Sequence, residues 1–188
     1  MLHLITADIQ NMLSRGINPG IVSINASQAD LRVAGFPDRL LRRLAQCGID
    51  PVSIKLEVTE TLFLGNDHNV IRASLQQLSD AGIVIALDDF GTGFSSLTHL
   101  RDFPIHQIKI DKSFVFGLGR NAESPAIIKA LVDLAHTLGM TVIAEGIETE
   151  GQRDFLRSIG CDSGQGYLFG KAIDVSSVTG RQRNMRPG

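Results

Sequence analysis

The stretch VIALDDFGTGFSSL, residues 84–97, ends an apolar run on two adjacent carboxylates, Asp88 and Asp89, followed by Gly91, Thr92 and Gly93. Neighbouring aspartates repel one another, so placing them at the mouth of a buried strand demands positive charge nearby. Other apolar runs end in the same way: Asn25 after GIVSI, Glu57 in IKLEVTE, Lys109 and Asp111 in IHQIKID, Glu145 in TVIAEG and Gln165 in CDSGQG. Asn25, Glu57, Asp88, Asp89 and Glu145 make an oxygen-rich, sulfur-free set without a histidine. Hard divalent cations such as Mg²⁺ or Mn²⁺ favour such donors. Because Asp88 and Asp89 are consecutive, strand alternation sends their side chains apart, so one can bridge two ions while the other holds the second alone. Two ions about 3.5–4 Å apart activate a water and steady the departing oxygen in phosphodiester cleavage.

Lys109 and Asp111 lie two apart, hence on one face of a strand. A Schiff-base lysine needs its ammonium destabilised by burial without a carboxylate companion; with Asp111 beside it, Lys109 is expected to stay protonated. That disfavours an aldolase-like barrel. It suits a clamp on a phosphate or on the attacking water, with a simple structural ion pair as the alternative. Gly91, Thr92 and Gly93 read either as a mobile loop that shapes the site or as the ordinary start of the next helix. Glu148 and Glu150 open a helix, where carboxylates serve the backbone dipole as readily as chemistry. Tyr167 is the only tyrosine, among nine phenylalanines and no tryptophan, and it follows Gln165 near the mouth. It offers a face for stacking on a base, against core packing as the plain alternative. His3, His68, His99, His106 and His136 show no ligand spacing and are given no role.

What must position these residues is a rhythm of strand and helix. Leu2, Ile5, Ile9 and Leu13 recur at helical spacing, then GIVSIN reads as a strand, PDRLLRRLAQCGI as a helix and PVSIKLEVTE as a strand. NVIRASLQQLSDAGI, SSLTHLRDF, SPAIIKALVDLAHTLGM and ETEGQRDFLRSIG read as further helices between the remaining strands, and CDSGQGYLF as a last short strand and turn. Several helices close on glycine, at Gly48, Gly82, Gly139 and Gly160. Alternating strands and helices predict an α/β fold of parallel βα units. In a TIM-type (β/α) barrel the carboxyl ends of the strands build one site, so separate segments deliver their polar residues to one place. About six strands are legible where a closed barrel has eight, so the barrel is expected to be incomplete.

The 188 residues suit one domain, and 43% hydrophobic content is enough for a core. Eighteen Lys and Arg against 20 Asp and Glu leave a net charge of −2, which provides no general field for duplex nucleic acid. Cys47 and Cys161 lack zinc-site spacing and read as free thiols in a reducing cytoplasm. Neither a signal peptide nor a membrane segment is legible, and a cytoplasmic location is expected. The barrel is expected over residues 1–175, and residues 176–188, with Arg181, Arg183 and Arg186, as a disordered basic tail.

Taken in order, SINAS, LEVTE, LDDFGTGFSSL, IKIDKSF, AEGIET and GQGYLF resemble the EAL-domain family over nearly the whole chain to about Lys171. The resemblance implies a metal-dependent phosphodiesterase, a hydrolase of bacterial signalling that opens cyclic di-GMP to linear pGpG. It implies Asn25, Glu57, Asp88 and Asp89 as metal ligands and Lys109 as holder of a metal-associated water. It also implies Glu145 as a metal-proximal acid, Glu148 and Gln165 as site residues, and Glu60 as the prop of the glycine loop. Asp111 and Tyr167 are read with Gln165 as substrate contacts. A homodimer is implied, with a sensor or GGDEF-type domain upstream. The chain departs from the family in lacking the Glu-Ala-Leu triplet, whose strand and following helix are expected before Met1. Ala172 stands where the family has proline, and Phe94 where it usually has tyrosine. Loss of one carboxylate weakens a two-ion site, so the alternative is a non-catalytic module that binds cyclic di-GMP or another protein.

Overall fold

The computed structural model describes residues 2–63, 67–91 and 97–178. Thr92 and Gly93, expected to support the site, lie outside the described residues, as do residues 179–188 of the expected tail. The elements run α1 (Leu2–Ser14), β1 (Val22–Asn25), α2 (Gln28–Arg32), α3 (Phe36–Gln46), β2 (Ile54–Thr59), α4 (His68–Asp80) and β3 (Val84–Phe90). They continue with α5 (Leu97–Asp102), β4 (Gln107–Ile110), α6 (Lys112–Phe116), α7 (Ser124–Thr137), β5 (Thr141–Ala144), α8 (Glu150–Ser158) and β6 (Ser163–Gly164). The six strands form one parallel sheet in sequence order. This is an α/β half-barrel, six strands with their helices on the outside.

Alternation along the strands separates two environments. On β2, Ile54, Leu56 and Val58 are buried in the core between sheet and helices, while Lys55, Glu57 and Thr59 take the opposite face. Each fully buried aliphatic side chain contributes roughly 1.5–3 kcal/mol of hydrophobic stabilisation. The helices answer with their own stripes. Phe36, Leu40 and Leu44 of α3, and Ile71, Leu75 and Leu78 of α4, are buried at helical spacing. The strand interiors are thus fixed by apolar packing behind them, which leaves the lumen face free for polar side chains.

The elements differ from expectation chiefly at their ends. Pro51–Ser53 forms a 3-10 turn capped by Asp50, so β2 starts at Ile54, and Glu60 opens a second 3-10 turn. The last strand is only two residues, with Gln165 just beyond it. Helix α8 starts at Glu150 because Thr149 and Gln152 form a reciprocal capping box. Two helices of five residues, α2 and α6, were not legible, being too short for periodicity; Ser27 and Asp111 cap them. Val175–Ser177 is a 3-10 turn, and Arg15 donates to the Val178 carbonyl at 3.0 Å, so this segment of the expected tail has structure.

Histidines without an expected role do structural work. His106 Nδ1 accepts the Ile85 N–H at 3.0 Å, and the His106 N–H donates to the Ile85 carbonyl at 2.9 Å, so its ring and backbone together extend the ladder below β4. His106→Leu leaves the Ile85 N–H without that acceptor. A loss of about 1–2 kcal/mol is expected in the urea-unfolding free energy. His136 Nε2 meets Asp162 at 2.9 Å, and the same carboxylate accepts the Val142 N–H at 2.7 Å, fastening α7 to the start of β5.

Candidate active site

Three strands bring their polar ends to one ammonium. Lys109 of β4 is 4% exposed, and its Nζ lies 2.8 Å from Glu57 Oε2, 2.8 Å from Asp88 Oδ1 and 2.7 Å from Glu145 Oε1. Register explains the convergence. Asn25 pairs with Glu57 and Thr59 with Asp88, while Lys109 pairs with Ile143, two residues before Glu145. Lumen-facing residues of successive strands are thus staggered by up to two residues, as strand tilt in a barrel requires, and their side chains meet at one place. The partners of Lys109 are these three carboxylates. Asp111, expected to be its companion, instead caps α6 by accepting the Ser113 N–H at 3.0 Å and faces Asp89.

Asp89 also departs from expectation. Simple alternation would send it away from Asp88, yet oxygen atoms of Asp88, Asp89 and Glu145 lie within 4.8 Å of one another. The β3–β4 register shifts between Leu87 and Phe90, and Asp89 has φ +54°, the one non-glycine positive φ among the described residues. A bulge of this kind re-aims a side chain, at a cost in backbone strain. Here it turns both aspartates toward Glu145.

Charge in the cluster is unevenly held. Burial disfavours the Lys109 ammonium, but hydrogen bonds to Asp88, Glu145 and Glu57 outweigh it and hold its pKa above the ordinary lysine value. Three carboxylates within 2.8 Å disfavour the neutral amine that Schiff-base chemistry needs. Burial pushes Glu57 upward as well, but hydrogen bonds from Lys109 and Ser23 bring it below the usual carboxylate value. Glu145 goes the other way despite its ion pair: burial, joined by the negative charges of Asp88 and Asp89, leaves it raised. Asp89 is raised too, by burial and then by the charges of Asp88 and Asp111. Within one site the two carboxylates on Lys109 are thus shifted in opposite directions.

Around the cluster, Gln165 Nε2 donates to Glu145 Oε1 at 2.7 Å. A cavity of about 500 Å³ opens beside it, lined by Lys112, Phe116, Glu145, Glu148, Gln165 and Tyr167. Tyr167 is 67% exposed there, with Lys171 Nζ 5.7 Å from its ring centroid. Gly166 lets the chain pass so close to the Ile147 backbone that a Cβ would collide with it. On the other side, Glu60 is 3% exposed, and its Oε1 accepts the Gly91 N–H at 2.9 Å. Gly91 has φ +99°, and a Cβ there would meet the Phe114 ring at 2.8 Å. Gly91→Ala therefore combines left-handed backbone strain with overpacking, and a loss of about 2–3 kcal/mol is expected in chemical unfolding.

The residues present suit a divalent cation. Asp88, Asp89 and Glu145 offer hard oxygens at close range, and Asn25 and Glu57 stand side by side on adjacent strands. The ammonium drawn in among the carboxylates shows how strongly the site attracts positive charge.

Comparison with known proteins gives this arrangement its lineage. The chain is 39% identical over 157 residues to MucR of Pseudomonas aeruginosa, a bifunctional diguanylate cyclase/cyclic di-GMP phosphodiesterase, a match covering 84% of this chain and 23% of that protein. The solved PaMucR phosphodiesterase, a c-di-GMP complex, superimposes with a TM-score of 0.82 at 36% identity, over 90% of this chain and 68% of that one. Klebsiella pneumoniae BlrP1, solved as a manganese/cy-diGMP complex, gives a TM-score of 0.77 at 31% identity, over 89% of this chain and 43% of that one. The chain spans less than a quarter of the length of the curated relatives it matches. The sequence model of the EAL domain covers residues 1–172. With a match of that extent, and with solved structures that superimpose on its six-stranded framework, the chain belongs to the EAL domain family.

Proposed function

We propose that this domain is a divalent-metal-dependent phosphodiesterase that hydrolyses cyclic di-GMP to linear pGpG. The observation that carries the reading is the gathering of Glu57, Asp88 and Glu145, from three strand ends, around Lys109, with Asp89 turned in beside them. Asn25, Glu57, Asp88, Asp89 and Glu145 would hold Mg²⁺ or Mn²⁺. When bound, such ions supply Lewis acidity toward the phosphodiester and make a water acidic near neutral pH. The chain's own groups then have distinct tasks. Lys109 stays charged and offsets negative charge that grows on the reacting phosphate. Glu145 would stand beside the cation, and Gln165 fixes its orientation through the 2.7 Å hydrogen bond from Nε2 to Oε1. Asp111, Tyr167 and Glu148 border the substrate, the tyrosine presenting its ring to a guanine base.

MucR is bifunctional, which favours a companion cyclase domain in a longer chain. The reading includes action in the cytoplasm as a homodimer. No helix among the described residues is long and apolar enough to cross a membrane. The second reading, a non-catalytic module that binds cyclic di-GMP or another protein, is favoured by one feature: Lys109 holds carboxylates that a metal needs.

The test is purified chain with cyclic di-GMP and Mn²⁺, or with a chelator, analysed by chromatography and by calorimetric binding. Linear product only with Mn²⁺ supports the enzyme. Binding without product supports the receptor, and neither binding nor product overturns both ligand readings.

A further inference from the structure

Under the proposed function the substrate carries two phosphodiester groups, and the cluster around Lys109 serves the one that is cut. The other needs a place of its own, and the cavity of about 500 Å³ beside Glu145 is the space that adjoins the cluster. Its lining is acidic on two sides, from Glu145 and Glu148. A second phosphate placed there without a cation meets like charge. Among the described residues of that lining, Lys112 is the one cation. Lys171, nearby in sequence, lies instead over the Tyr167 ring.

Lys112 is held where that charge is needed. It is the first residue of α6, which Asp111 caps, and it shares the cavity wall with Phe116, one helical turn further on. Its stem lies so close to the loop after Glu145 that a Cβ on Gly146 would come within 2.6 Å of the Lys112 Cβ. Helix α6 is tied to the Glu148 segment as well. Gln152 Nε2 donates to the Val115 carbonyl at 3.1 Å, while Gln152 Oε1 accepts the Glu148 N–H at 2.8 Å. The backbone that carries Lys112 is therefore fixed relative to both acids. Its side chain is exposed, and although its charge is felt by Asp111, it joins no ion pair among the described residues. Lys109 is no substitute, being buried among Glu57, Asp88 and Glu145.

On the phosphodiesterase reading of this site, we propose that Lys112 holds the second, uncut phosphate of cyclic di-GMP and so sets a preference for the cyclic dinucleotide over a diester with a single phosphate. An ammonium on a flexible stem reaches a phosphate oxygen without demanding one planar geometry. The uncut phosphate keeps its charge throughout the reaction, so the contact is the same before and during cleavage and acts on affinity.

The experiment titrates the whole chain, Lys112→Met and Lys112→Arg with cyclic di-GMP and with GpG, the dinucleotide that keeps both guanines and one phosphodiester but lacks the second phosphate. Mn²⁺ is present, and affinity is read by calorimetry, or as KM by chromatography where product forms. Lys112→Met is expected to weaken cyclic di-GMP by about tenfold or more, the usual loss for a hydrogen bond to a charged group, and GpG by less than about threefold. Lys112→Arg keeps the charge and is expected to stay close to the unmodified chain, with circular dichroism confirming that both variants fold. Affinity for cyclic di-GMP unaltered by Lys112→Met, or an equal loss toward both ligands, overturns the assignment of Lys112 while the phosphodiesterase function stands. An unmodified chain that neither binds nor cleaves cyclic di-GMP overturns both together.

Discussion

Lys109→Met is expected to destabilise the metal-free chain by about 3–5 kcal/mol in urea unfolding, because it leaves Glu57, Asp88 and Glu145 buried together without their shared cation. Methionine replaces the stem well enough to fill the space, so the loss reports charge rather than a cavity. Its pH dependence has a definite sign. Without the ammonium, the folded-state pKa values of Glu57 and Glu145 rise above those of the unfolded chain, since burial already pushes both upward. The folded form then takes up protons, so the stability missing at neutral pH returns as the pH falls toward about 5. Mn²⁺ is expected to raise the melting temperature of this variant more than that of the unmodified chain, since ammonium and ion no longer compete. Under the proposed function turnover is expected to fall by on the order of 10²–10³-fold, because Lys109 would be the fixed positive charge at the reacting phosphate. An unchanged urea midpoint at pH 7 would falsify the shared-cation account.

Asp88→Ala is expected to leave stability nearly unchanged while being at least as harmful to chemistry. It takes one anion from a group in which three carboxylates already outnumber one ammonium, and Glu57 and Glu145 remain to hold Lys109. The metal-free chain should unfold within about 1 kcal/mol of the unmodified midpoint. Cation binding suffers instead, because Asp88 belongs to the trio of close oxygens with Asp89 and Glu145. Product formation is expected to drop by at least on the order of 10²-fold, and the Mn²⁺-induced thermal shift to shrink with it. A variant that keeps full turnover would remove Asp88 from the ligand set.

The contrast between these variants shows what was legible in the sequence. The βα rhythm and the polar residue at each strand end were enough to gather Glu57, Asp88, Lys109 and Glu145 at one rim, because a parallel sheet leaves strand ends little choice of place. Which carboxylate meets Lys109 was not legible. Spacing along one strand suggested Asp111, whereas the real partners come from neighbouring strands, whose register no single strand encodes. The divergence of Asp89 from Asp88 was expected wrongly for a related reason. Alternation is the rule for a regular strand, and the bulge at the end of β3 breaks it. Helices α2 and α6 escaped because five residues carry no measurable period, although Ser27 and Asp111 are ordinary cap residues seen afterwards.

A side chain that supplies its own positive charge to a ring of acids separates shaping the chain from loading it. Some small domains whose ligand cluster has no internal counterion fold only with their metal. With Lys109 in place, folding of this chain does not depend on a cation to balance the acids, and an ion bound under the proposed function would be gained or lost afterwards as a reversible exchange.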